Sequence, residues 1–339
     1  MNPFTYVCAG SVEEAAHALG VDASAKIIAG GTNLVDLMKY KVERPTRLVD
    51  VTRIEGLRAI EDTGDGGLRI GALAANTEVA YDRRVAERYP LLASAILAGA
   101  TAQLRNAATV GGNLNQRTRC YYFYDVATPC NKRELGTGCP AIGGQNRIHA
   151  ILGASSDCIA THPSDMCVAL AALEAVVRVT GPEGERAIPM AEYHRLPGAA
   201  PQVDTTLAPG EIVTAIDLPT QGYPRHHTYL KLRDRLSYAF ALVSVAVGLD
   251  MEGGAIRRAR FALGGVAHKP WRDPEAEALL EGRPPSRDRF AAAADHVLRD
   301  ARGHGGNDFK IGLARRAIVR ALSQAAAGTP QTQTDKRIR

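Results

Sequence analysis

The order of strand and helix signals predicts an α+β protein built in successive parts along this 339-residue chain. Three observations predict it. The first 55 residues alternate strand and helix signals around one glycine pair, as a small βαβ-like unit does. The middle part mixes strands with alanine-rich helices and carries a second glycine pair. The last third gives three strands and then two helices, the mark of a separate α+β domain starting near residue 222. The expected boundaries are 1–55 and 56–221 for two subdomains, 222–325 for the third, and a polar, disordered tail at 326–339.

In the first part, Phe4–Val7 alternates like a strand, and Ser11 ahead of Glu13 and Glu14 marks a capped helix start. Lys26–Ala29 is a short strand that runs into Gly30-Gly31-Thr32-Asn33. Leu34–Lys39 then reads as a helix and Leu48–Val51 as a strand. Glycines leave amide groups uncovered, and a helix start adds positive potential, so a phosphate can sit at such a turn. The pattern is neither Gly-x-Gly-x-x-Gly nor a P-loop, and alone it is a weak signal.

Leu68–Ala72 reads as a strand, Thr77–Arg88 as a helix, and Leu91–Ala102 as an apolar helix suited to burial. Gly111-Gly112 follows, flanked by Thr109 and Asn113. Two glycine turns with small polar neighbours suggest one pyrophosphate gripped from both sides. Ser164-Asp165 starts a helix over Met166–Leu173, where Asp165 is either a cap or an acceptor for ribose hydroxyls. Ala175–Thr180, Glu211–Leu218, His227–Lys231, Ala241–Asp250 and Ala255–Gly264 read as strands. Arg287–Arg299 and Lys310–Leu322 read as helices.

Composition excludes several classes. Hydrophobic residues at 45% and charged residues at 23% are ordinary for a globular protein. The net charge of +5 is spread along the chain, which gives no footprint for nucleic acid. Charged residues or glycine interrupt every apolar run, so no bilayer span is expected. The N-terminus has neither a basic n-region nor an apolar h-region, and no export signal is expected on this chain.

Five of the six cysteines, Cys120, Cys130, Cys139, Cys158 and Cys167, cluster in the stretch from 106 to 167, with Cys8 outside it. A chain this long with so few cysteines does not read as a disulfide scaffold. Pattern alone leaves structural zinc and an iron–sulfur cluster equally open, although the paired knuckles of zinc ribbons are missing. Disulfides are a third reading if the protein matures in the periplasm. Cys8 and Cys167 read as structural. His149 and His162 flank Cys158 and are left out as ligands, since lone histidines more often serve as hydrogen-bonding residues.

Ile28-Ala29-Gly30-Gly31-Thr32-Asn33-Leu34, Ala108-Thr109-Val110-Gly111-Gly112-Asn113 and Pro163-Ser164-Asp165 together resemble the FAD-binding subunits of molybdenum hydroxylases, the relatives of xanthine and carbon monoxide dehydrogenase medium subunits. Tyr229-Leu230-Lys231, Tyr238-Ala239-Phe240-Ala241 and Gly264-Gly265-Val266-Ala267 resemble that family's C-terminal domain. The resemblance covers residues 1 to about 325. It implies a two-part FAD-binding domain of the vanillyl-alcohol-oxidase/CO-dehydrogenase flavoprotein type plus a C-terminal α+β domain. The segment with Cys120, Cys130 and Cys139, and Ala141 to Gly153, is absent from ordinary members. It is similar to the flavin subunit of bacterial periplasmic aldehyde oxidoreductase, which also carries a [4Fe–4S] cluster.

The resemblance implies that Gly30, Gly31, Thr32 and Asn33, with Thr109, Gly111, Gly112 and Asn113, cradle the FAD pyrophosphate. Ile28, Ala29 and Leu34 would line the turn, Ser164 and Asp165 would bind the adenosine side, and Lys231 would lie beside the flavin. Cys120, Cys130, Cys139 and Cys158 would hold a [4Fe–4S] cluster in a loop at about 116–160, with nearby cations offsetting its charge. It further implies an electron-transfer subunit of a heterotrimer. A large subunit with the molybdenum cofactor would oxidise an aldehyde to an acid, and a small subunit with [2Fe–2S] clusters would pass electrons to this chain's FAD and on to an external acceptor.

No catalytic residue is assigned to this chain. The absent Rossmann fingerprint favours a quinone, cytochrome or oxygen over NAD as acceptor. Two rivals stay open: the flavin subunit of a 4-hydroxybenzoyl-CoA-reductase-like complex, and a stand-alone flavoenzyme with a zinc-stabilised loop. The expected location is the periplasm, reached by co-export with a signal-bearing partner, with the cytoplasm as the alternative.

Overall fold

The computed structural model describes residues 1–333, in three sheets with helices packed between and around them. The first sheet holds strands β1 (Thr5–Cys8), β2 (Ala25–Ile28) and β3 (Arg47–Asp50), all parallel, in the order β1-β3-β2. Parallel neighbours need crossovers. Helices Val12–Val21 and Leu34–Lys39 supply them, the first capped by the Ser11 side chain as expected.

The second sheet is antiparallel, ordered β4 (Ile60–Asp62), β5 (Leu68–Gly71), β8 (Ile212–Leu218), β6 (Val176–Gly181) and β7 (Gly184–Pro189). Strands from before and after the cysteine-rich segment pair here, so that segment leaves and re-enters one rigid body. The apolar helix ends earlier than the sequence suggests, as Pro90–Ala98. It packs with Asp165–Ala172 in the main core, around Leu92, Ile96, Val168 and Leu170. The single helix expected over Thr77–Arg88 is two, Asn76–Tyr81 and Arg83–Arg88. The break falls at Asp82, whose carboxylate caps the second helix by accepting from the Arg84 amide at 2.8 Å.

The third sheet is the meander β9 (His227–Leu232), β10 (Val243–Glu252), β11 (Ala255–Gly264), covered by the helix Phe309–Ala326, on which Arg287–Val297 packs in turn. The disordered tail expected from 326 onward is corrected for residues 327–333. The Gln331 amide donates to Thr228 Oγ1 at 2.9 Å and Gln333 Nε2 to the Tyr229 carbonyl at 2.9 Å, which lays this stretch along β9. The rest of that expectation, 334–339, lies outside the described residues.

Candidate functional site: two glycine turns and a four-cysteine pocket

At the end of β2 the chain turns through Gly30 and Gly31. Gly31 has φ +69, a left-handed conformation that glycine adopts without strain. Gly30 is required for a different reason: a Cβ there would overlap the carbonyl of Ala107, so the chain leading into the second glycine turn passes directly against the first. Among the described residues, the amides of Gly30, Gly31, Thr32 and Asn33 donate to no group of the chain. Asn33 Oδ1 accepts from the Arg117 amide at 2.9 Å, while its Nδ2 is buried without a partner. Ile28, Ala29 and Leu34 are half-buried around this turn. Free donors with no opposing acceptor suit an anionic group.

The second turn is built differently from the expectation. Thr109 caps the short helix Val110–Leu114, and its Oγ1 accepts from the Gly112 amide at 3.2 Å. The Gly111 amide donates to the Ala72 carbonyl at 2.8 Å and that of Asn113 to Thr109 at 2.8 Å. These backbone donors are spent inside the protein, so only side chains, the Thr109 hydroxyl and the Asn113 amide nitrogen, remain to face a ligand. Ser164 donates to Asn113 Oδ1 at 2.7 Å and caps its own helix through the Cys167 amide at 3.1 Å. Three motifs far apart in sequence thus meet.

Asp165 and Lys231 also meet, but with each other. Lys231 Nζ lies 2.7 Å from Asp165 Oδ2, and the Tyr229 hydroxyl donates to Asp165 Oδ1 at 2.6 Å. Burial, then the Asp165 charge, push the Tyr229 phenol well above its usual range. In this arrangement the carboxylate fastens β9 to the core instead of offering a free acceptor to a ribose. Lys231 Nζ also reaches the Ala98 carbonyl at 3.2 Å.

The four expected cysteine ligands line one pocket with Tyr122, Phe123, Lys132 and His149. Each sits on a local turn: the carbonyls of Cys120, Cys130, Cys139 and Cys158 accept from Phe123, Arg133, Ile142 and Ser155 amides. All six cysteines are free thiols, so the disulfide reading gains nothing here. Burial raises the Cys120 thiol to about 11. A hydrogen bond from Cys158 lowers Cys139 to about 6 and raises Cys158 itself. Among the described residues, no three of these sulfurs lie within 4.8 Å of one another. A tetrahedral zinc site would gather four sulfurs at about 3.8 Å separations, from Zn–S bonds of about 2.3 Å. Four cysteine thiols lining one pocket are a donor set that a cubane or a closed zinc site can use, and Cys139 and Cys158 already contact each other through a hydrogen bond.

Residues 2–221 match the family described as the FAD binding domain in molybdopterin dehydrogenase, and residues 227–325 match the CO dehydrogenase flavoprotein C-terminal domain. The chain is an FAD-binding subunit of the molybdenum hydroxylase family. It is 49% identical over 328 residues to the aldehyde oxidoreductase FAD-binding subunit PaoB of Escherichia coli K12, covering 96% of this chain and 99% of that one. Its fold superposes on carbon monoxide dehydrogenase from Hydrogenophaga pseudoflava with TM-score 0.76 at 27% identity, over 96% of this chain and 98% of that one. Quinoline 2-oxidoreductase from Pseudomonas putida 86 gives TM-score 0.74 at 25% identity, over 97% and 98%.

In this FAD-binding subunit, the cations beside the cysteines are mostly committed elsewhere. Lys132, almost fully buried, donates to Asp204 Oδ1 at 2.5 Å and to the Pro201 carbonyl at 2.7 Å. Arg117 pairs with Glu43 and with Asp204 at 2.6 Å and stacks on Phe123, while Arg119 stacks on Tyr124 and Phe240. Arg133 donates to the Tyr122, Phe123 and Thr128 carbonyls, and Arg147 pairs with Asp234. These arginines brace the FAD-binding subunit's loop, and Lys132 opposes without overcoming the rise that the Cys139 hydrogen bond and burial impose on the Cys158 thiol.

Several residues of the FAD-binding subunit's site escape a sequence reading. His149 places Nε2 3.1 Å from Cys120 Sγ, although it looks like any loop histidine. Lys310, fully buried, donates to the carbonyls of His149 at 2.7 Å and Gly265 at 2.5 Å, and Asn307 Nδ2 to those of His149 and Ala150 at 3.2 and 2.9 Å. The C-terminal domain therefore holds the strip of loop that carries His149. Their only sequence signal was a helix start. Cys8, read as structural, is exposed on β1, whereas Cys167 is buried as expected.

Proposed function

We propose that this chain is the FAD- and [4Fe–4S]-containing electron-transfer subunit of a molybdenum-dependent aldehyde oxidoreductase. It would work in a heterotrimer with a large subunit carrying the molybdenum cofactor and a small subunit carrying [2Fe–2S] clusters. The observation that carries the reading is the convergence of Cys120, Cys130, Cys139 and Cys158 on one pocket, in a chain 49% identical to an aldehyde oxidoreductase FAD-binding subunit. Flavin and cluster, when bound, supply the redox chemistry, and the chain's residues position and tune them.

The amides of Gly30 to Asn33 take the pyrophosphate, with the Thr109 hydroxyl and Asn113 side chain on its other flank. Arg117 joins the two sites: its amide donates to Asn33 Oδ1, and its guanidinium lies 4.9 Å above the Phe123 ring beside the cysteines. Arg119 adds a second tie, 3.7 Å from Asp36 on the helix that follows the glycine turn. No residue here is assigned as acid, base or nucleophile. Lys231, held by Asp165, serves as a fixed positive charge. The trimer folds in the cytoplasm and is exported to the periplasm with a signal-bearing partner.

Rapid mixing tests the reading. An aldehyde should bleach the flavin of the assembled trimer under anaerobic conditions and leave the isolated chain's flavin oxidised. Flavin bleaching by aldehyde in the isolated chain would favour a stand-alone flavoenzyme. Finding the trimer only in the cytoplasmic fraction, with no signal on any subunit, would overturn the location.

A further inference from the structure

A second group of metal-ligating side chains lies outside both sites. His162, Cys167 and His194 each offer one ligand atom, all within 4.8 Å of one another. Cys167 is fully buried on the helix Asp165–Ala172, and His194 is buried just after Tyr193. The imidazoles of His162 and His194 lie 4.2 Å apart between centroids. His194 Nε2 contacts the Leu114 carbonyl at 2.9 Å, and since a carbonyl only accepts, this nitrogen carries the proton. Its Nδ1 is therefore a bare lone pair, buried and without a partner; His162 Nε2 is likewise sealed and unpartnered.

His162 Nε2 and His194 Nδ1 stay unpartnered although they share one group with the Cys167 thiol, and buried polar atoms left without partners are rare. The arrangement is that of metal-ligating histidine, in which the second ring nitrogen donates to a backbone carbonyl and fixes the tautomer. His268 adds two more buried, unpartnered ring nitrogens, close enough for its charge to act on His162. Supports on both sides are rigid. The His162 amide donates to the Ala267 carbonyl at 3.0 Å, and His194 bridges to Thr205. Lys132 and Arg119 act on His162 and Lys269 on His194, while Asp204 pairs with Lys132 and Asp36 with Arg119.

We propose that His162 Nε2, Cys167 Sγ and His194 Nδ1 form a buried binding site for a borderline-soft divalent cation, zinc(II). Mixed imidazole and thiolate donors select this ion class. Zinc replaces the Cys167 thiol proton, which leaves to solvent, so one proton is released per ion bound. His268 or a water completes the coordination. Bound there, the ion locks His162-Pro163-Ser164-Asp165 behind the Asn113 contact. The site does not depend on the cluster reading, since it shares no residue with the four-cysteine pocket.

The test is zinc content and zinc-edge X-ray absorption on the full chain, purified anaerobically with its partners and again after addition of zinc chloride. The expected result is one zinc per chain, with one sulfur at about 2.3 Å and two or three nitrogens at about 2.0–2.1 Å. His194→Gln and Cys167→Ser should each weaken zinc binding at least tenfold, while FAD content reports that the variants fold. A four-sulfur shell would mean zinc in the other cysteine pocket and overturn the assignment. So would an oxygen-only shell, an adventitious ion, or zinc binding unchanged in His194→Gln with FAD retained.

Discussion

Lys231 and Asp165 form a buried ion pair at 2.7 Å, with side chains only 3% and 9% exposed. The pair joins the C-terminal sheet to the helix that follows Ser164, and Tyr229 saturates the remaining carboxylate oxygen. Removing one partner of such a pair strands a charge in the interior, at a cost of about 3–5 kcal/mol. Lys231→Met should therefore lower the thermal midpoint by several degrees, and the double variant with Asp165→Asn should recover most of the loss. Calorimetry or circular dichroism on the FAD-bound chain measures this. A Lys231→Met chain as stable as wild type would show that the pair does not fasten the two parts.

Gly30→Ala forces a methyl group onto the Ala107 carbonyl and should part the two glycine turns. The expected result is a chain purified with less than a tenth of its FAD, read from the flavin-to-protein absorbance ratio. Gly20→Ala is the control: a Cβ there meets nothing within 4 Å and the residue is helical, so stability should be unchanged or up by about 0.5–1 kcal/mol. Full FAD in Gly30→Ala would remove the close approach from the account.

Lys310 gives a pH signature. Burial lowers its ammonium to about 7 from the ordinary 10.5. The folded chain then holds fewer protons than the unfolded chain between about pH 7 and 10.5, and stability rises with pH across that window. Urea midpoints measured from pH 7 to 10 should climb for wild type more steeply than for Lys310→Met. Equal slopes would show that Lys310 keeps its proton among the carbonyls of Ile148, His149 and Gly265.

The sequence made some of this legible and hid the rest for physical reasons. Gly30-Gly31 after a strand and before a helix is a local pattern, and the turn appears where its residues place it. The clustering of four cysteines in one segment likewise foretold one pocket. What could not be read was how hydrogen-bond capacity is divided. The second turn's amides go to Ala72 and Thr109, and Asp165 goes to two residues more than sixty positions away. Nor does a helix start such as Asn307-Asp308-Phe309-Lys310 announce that its lysine will cap the backbone of a distant loop. Helix boundaries slipped where side chains intervened, as Asp82 does by capping a second helix inside an apparently continuous one.

For the cluster proposed above, Cys139→Ser should remove the iron while sparing the flavin, because the cysteine pocket and the two glycine turns share no residue. The expected readout is loss of iron with FAD retained, and aldehyde-driven flavin reduction in the trimer slowed at least tenfold if the cluster relays electrons. An unchanged rate with iron lost would assign the cluster to bracing the 116–160 loop.

The most direct measurement is iron and acid-labile sulfide per FAD on the chain separated from its partners without oxygen. About four irons and four sulfides per flavin is the result that four thiolate ligands in one pocket predict. Stoichiometric FAD without iron or sulfide would contradict it.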